Sequence, residues 1–127
     1  MPRIEGSTKG APKPAGPYSQ AIRNGPVVSV AGMVGVDPTT RNLVGDDVGS
    51  QTIRALANAE AALLSCGATM SDVVRTDVYL ASMTDLPAMN AAYESVFRPP
   101  YPTRTTVGVD LPNDYKVEVT VFAVVMA

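Results

Sequence analysis

The chain has 127 residues, enough for one domain with a sizeable core and too few for two comfortable ones. Its 46% hydrophobic and 17% charged composition is globular rather than disordered, and a net charge of −2 argues against a basic nucleic-acid-binding face. With no histidine and one cysteine, Cys66, intrachain disulfides, thiolate metal clusters and His-activated nucleophiles are excluded, which leaves catalysis to carboxylates, Arg, Lys, Tyr, hydroxyls or backbone groups.

No apolar run approaches the 18 or so residues of a membrane span, and the first residues lack the apolar stretch of a secretory leader, so a cytoplasmic location is expected. Residues 1–17 are rich in Gly and Pro and read as an extended arm. Asn24-Gly25 sits between two short apolar runs within Ser19–Val30, which predicts a hairpin with a type I′ turn. Residues 32–49 read as a loop or a short irregular strand pair. From Gly49 to Cys66 the spacing of Thr52, Ala55, Leu56, Ala59, Ala62, Leu63 and Cys66 predicts a helix with an alanine-rich buried face. Arg54, Asn58 and Ser65 fall off that face. Asp46 or Asp47 suits the helix start and Gly67 its end.

Val73–Leu80 alternates as a strand, with Val74, Thr76, Val78 and Leu80 on one side. A second helix is predicted from about Asp85 to Phe97, with Thr84 as its cap, a stripe of Leu86, Met89, Tyr93, Val96 and Phe97, and a stop at Arg98-Pro99-Pro100. Thr103–Val109 and Lys116–Val125 complete the order ββαβαββ. The simplest architecture is an α+β single domain, a mixed or antiparallel sheet with both helices on one face. The last strand is apolar on both faces, so the sheet's uncovered side predicts a homo-oligomer.

Three polar residues interrupt this pattern. Glu118 lies between Val117 and Val119; it is either an edge glutamate facing water or a carboxylate in a dry cleft with a raised pKa. Arg104 alternates onto one face with Thr106 and Gly108, where it either pairs with a surface acid or grips a substrate carboxylate through two parallel bonds. Asn90 falls at the edge of the second helix's apolar stripe and needs either backbone or ligand partners. Cys66 reads as core. Gly32 and Gly35 lack the residues that would make a phosphate loop, and Asp46-Asp47 lack a third metal ligand.

The segments Gly16-Pro17-Tyr18-Ser19-Gln20-Ala21, Ala31-Gly32, Asn90-Ala91-Ala92-Tyr93, Pro102-Thr103-Arg104 and Val117-Glu118-Val119 together resemble the RidA/YjgF family. Order and spacing agree from about residue 10 to the end. The resemblance implies a chorismate-mutase-like α+β fold, a homotrimer with active sites between subunits, and hydrolysis of 2-iminopropionate-type imines and enamines to keto acids and ammonia. It gives Arg104 the substrate carboxylate and Glu118 the attacking water. Tyr18, Gly32, Asn90 and Thr106 would line the pocket, with no metal or organic cofactor.

Two departures from the family pattern stand out: Ala31-Gly32-Met33 where Ser-Gly-Gln is common, and Thr106 where many members have cysteine. Both imply altered substrate fit or lower activity. Two other readings compete. Some relatives carry endoribonuclease or translation-inhibitor labels, against which the acidic balance and missing histidine weigh. The same cleft would also serve a non-catalytic binder of small carboxylates or a holdase.

Overall fold

The computed structural model describes residues 2–126. In chain order the elements are β1 (Ile4–Gly6), β2 (Ala21–Asn24), β3 (Val27–Val34), α1 (Val48–Ser65), β4 (Val73–Leu80), α2 (Leu86–Val96), β5 (Thr103–Gly108) and β6 (Val117–Val124). The strands form one mixed sheet in the order β1-β2-β3-β6-β4-β5. Only β4 and β5 run parallel, which the intervening α2 crossover permits. β1 is an addition to the predicted order: Ile4 to Gly6 in the arm pair with Arg23 to Ala21.

Both helices cover one face. On β6 the odd residues Val117, Val119, Val121 and Ala123 are buried beneath them, whereas Glu118, Thr120, Phe122 and Val124 point to the bare side. The alanines of α1 (Ala55, Ala59 and Ala62, each 0% exposed) let its backbone approach the sheet closely. Asp47 caps α1 by accepting from the Ser50 N–H at 2.8 Å, and Asp46 does not. At the other end Gly67, at φ 78°, closes a Schellman motif: Ala68 N–H donates to Leu63 O and Gly67 N–H to Leu64 O, both at 3.0 Å.

Several sequence expectations need correction. In the β2–β3 hairpin Asn24 is the last paired residue, the loop is Gly25-Pro26, and only Gly25 takes a positive φ (58°), the II′ rather than the I′ pattern. Asn58 is fully buried, not off the face: its Nδ2 donates to the carbonyls of Val34 and Val36, both at 3.0 Å, and its Oδ1 accepts from Arg54 Nε at 2.9 Å. A register shift between Val73 and Arg75 turns Val74 outward, leaving it 46% exposed. Thr84 does not cap α2; a 3-10 turn at Met83–Asp85 leads in, and Ser82 accepts from Thr84 N–H. Residues 32–49 contain one isolated bridge, Val36 to Leu43. No helix among the described residues is long and apolar enough to cross a membrane.

Candidate functional site

Arg104 and Glu118 lie on opposite faces of the sheet within one chain. Register settles this, because residues directly across a ladder share a face. Arg104 pairs with Thr76 and Thr106 with Val78, and both partners are fully buried under the helices. Glu118 pairs with Tyr79 on β4 and Val34 on β3, on the bare side. Strand β4 also separates β5 from β6. A single chain therefore does not gather the two groups into one hollow.

The arginine side is a hollow of about 400 Å³ lined by Asn90, Tyr93, Glu94, Tyr101, Pro102 and Arg104. The Arg104 guanidinium sits 4.9 Å from the centroid of the Tyr93 ring, a cation–π contact that holds its plane while leaving its edge of donors open. Tyr93 is itself fixed: its hydroxyl is 2.8 Å from Thr76 Oγ1, and its ring packs on Phe97 at 4.7 Å between centroids. Burial pushes the Tyr93 hydroxyl pKa up, against the opposing pull of the Thr76 hydrogen bond and the Arg104 charge. Among the described residues the one ion pair is Arg75–Asp77, so Arg104 has no carboxylate partner. Asn90 adds an orphan, a buried Oδ1 with no hydrogen-bond partner. Such an atom costs about 1–3 kcal/mol unless something donates to it. Thr106 is half-buried two residues along the same face and does not line this hollow.

The glutamate side is a hollow of about 250 Å³ whose walls include Tyr18, Gly32, Arg41, Asn113, Tyr115 and Glu118. Half-burial of Glu118 raises its pKa above the ordinary glutamate range, and desolvation is the cause. Gly32 meets it so closely that a Cβ added there would stand 2.9 Å from Glu118 Cδ and overlap the carboxylate. Tyr18 is 53% exposed, and its hydroxyl accepts from Ala15 N–H at 3.1 Å. Met33 pairs with Val119, is 4% exposed and belongs to the core, yet it also lines this hollow. Cys66 is also core, at 6% exposure.

Gln20 is a positioning residue to which the sequence reading gave no role. Its Oε1 accepts from Thr8 N–H at 2.8 Å, and its Nε2 faces the carbonyls of Thr8, Ala11 and Pro12 at 3.0, 3.1 and 2.9 Å. These bonds tie down the arm that walls the glutamate hollow. The only sequence signal was its place in the Gly16–Ala21 motif.

The chain matches the family model described as Endoribonuclease L-PSP over residues 8–125. It is 42% identical over 117 residues to a RutC family protein of Saccharolobus solfataricus, covering 91% of this chain and 93% of that one. It is 37% identical over 120 residues to a 2-iminobutanoate/2-iminopropanoate deaminase of Dermatophagoides farinae, covering 94% of both. Among solved structures, E. coli TdcF with bound serine superposes with a TM-score of 0.92 at 31% identity, covering 97% of this chain and 99% of that one. Matched along nearly its whole length in sequence and in fold, the chain belongs to the endoribonuclease L-PSP family, the RidA/YjgF family that its motifs resemble.

Proposed function

We propose that the chain is a hydrolytic deaminase that converts 2-imino and enamine acids of the 2-iminopropionate type to 2-keto acids and ammonia. The observation that carries this reading is the pair of incomplete half-sites. One presents an unpaired guanidinium beside an orphan amide oxygen, and the other a desolvated carboxyl. Neither hollow alone holds both Arg104 and Glu118. In the proposal, neighbouring copies in a cytoplasmic homotrimer bring the Arg104 side of one chain against the Glu118 side of the next. The mixed apolar bare face, with Phe122 and Val124, suits such packing.

The chemistry is short. Arg104 fixes the substrate carboxylate through two charge-assisted bonds. Glu118, whose raised pKa lets it exchange a proton nearer neutrality, takes a proton from water as the oxygen adds to the imine carbon. That proton passes to nitrogen to give the carbinolamine, Glu118 then moves the carbinol O–H proton to nitrogen as the C–N bond breaks and the C=O forms, and keto acid and ammonia leave. Asn90 Oδ1 can accept from the iminium N–H, and Tyr18 and Gly32 border the water's side. Holding both reactants replaces a collision with an oriented attack.

The test uses two inactive chains. Arg104→Ala and Glu118→Gln should each suppress ammonia release from freshly generated 2-iminopropionate. Co-assembled in equal amounts, they should recover about a quarter of native activity, since each cleft draws an intact arginine from half the chains and an intact glutamate from half. No recovery in mixed, folded assemblies would sink the shared cleft. Keto-acid binding with no ammonia release from any imine would favour a carboxylate binder, and salt-sensitive RNA cleavage lost with Glu118→Gln would favour the nuclease reading.

A further inference from the structure

Arg41 is an arginine in a backbone conformation that does not suit it. Its φ is 65°, in the left-handed region. The other described non-glycine residues there are Asn113 and Asp114, whose short polar side chains tolerate it. Strain of this kind persists where the surrounding structure over-determines it, and it gathers at sites of function. The turn itself is fixed on both sides: Arg41 N–H donates to Asp37 O at 2.8 Å, and Val36 bridges Leu43.

The side chain is held as well. Arg41 Nη1 donates to Lys13 O at 2.7 Å, which fixes one edge of the guanidinium to the N-terminal arm. No other side-chain hydrogen bond and no ion pair engages it among the described residues. The group nevertheless lines the hollow that contains Glu118. At about 250 Å³ the hollow has the room of roughly eight waters, more than a three-carbon acid and one attacking water fill.

We propose that Arg41 is a specificity-determining residue that binds a second, distal carboxylate, so that the favoured substrates are 2-imino dicarboxylates with four- or five-carbon chains. The inference rests on the deaminase reading and deepens it. Arg104 clamps the carboxylate beside the imine, and Arg41, in the wall of the Glu118 hollow, clamps the one at the end of the chain. A planar guanidinium with an open edge is built for that contact.

The experiment compares imines generated from alanine, aspartate and glutamate by a separate amino-acid oxidase. The native protein should show a higher kcat/KM on the two dicarboxylic imines. Arg41→Gly suits the turn, so it should fold with an unchanged or raised Tm while lowering the dicarboxylic-to-alanine ratio of kcat/KM about tenfold, chiefly through KM. Arg41→Lys should keep part of that ratio. An unchanged ratio in Arg41→Gly overturns the proposal, as does an equal loss on all three imines. Should no imine be hydrolysed even by the native protein, the deaminase reading fails separately. Calorimetry then decides for Arg41: native protein binding 2-oxoglutarate more tightly than pyruvate, with that preference lost in Arg41→Gly, supports it, and equal binding of the two acids overturns it.

Discussion

The arginine hollow lies on the helix-covered side, with Arg104 stacked on a tyrosine that is itself bonded and packed, whereas the glutamate hollow lies on the bare side, walled by an arm and two turns. The first is a charge on a rigid support. The second is a carboxyl whose protonation and position depend on burial and on the close approach of Gly32. Perturbing the arginine side should remove binding outright, while perturbing the glutamate side should shift geometry and titration.

The largest expected effect is Arg104→Ala, with kcat/KM for 2-iminopropionate falling on the order of a thousandfold. Arg104→Lys should retain little, because a point charge lacks the fork. A folded Arg104→Ala protein with native ammonia release would end the contrast. Next is Glu118→Gln, for which a roughly hundredfold slower turnover is expected, with keto-acid binding largely kept.

Glu118 also makes a stability claim with a definite sign. Its folded pKa is raised above the ordinary 4.5, so its contribution to folding is fully present below 4.5 and is lost as pH rises through the folded value. Relative to Glu118→Gln, native Tm should therefore decline as pH increases across that window. Parallel Tm profiles would show that the carboxyl is not desolvated. Gly32→Ala should cost about tenfold in turnover by displacing the carboxylate while leaving the pairing of β3 and β6 intact, and an unaltered rate would show that close contact to be immaterial. The smallest effect is expected of Tyr93→Phe. It keeps the ring beneath Arg104 and loses only the bond to Thr76, so kcat/KM should fall by less than about threefold; a large loss would move the hydroxyl into the chemistry.

Local signals carried much of this into the sequence. The ends of α1 follow from Asp47 and Gly67, the two faces of β6 from simple alternation, and Glu118 and Asn90 stand out as polar groups in apolar settings. What was hidden depends on distant partners. Alternation says which residues of β5 share a side with Arg104, and likewise for Glu118 on β6, but nothing local links the parity of one strand to that of the other. The parallel register of β4 with β5 and the antiparallel register of β4 with β6 set that relation. Asn58 looked polar and therefore outward, because the carbonyls it satisfies are more than twenty residues away. β1 has three residues, too few for a periodic signal, and exists through its pairing with β2. Arg41 was invisible because its backbone angle is not written in its residue type.

Gln20 has a consequence beyond holding the arm. Its amide nitrogen carries two protons toward three carbonyls, so an acid at this position would set negative oxygens against all three and release the segment. Pro12, Ala15 and Tyr18 would swing away with it, and the glutamate hollow would lose that wall. Loosening of residues 8–12 and opening of the Glu118 chamber are thus coupled through this side chain, and amide exchange in both places should share one opening free energy.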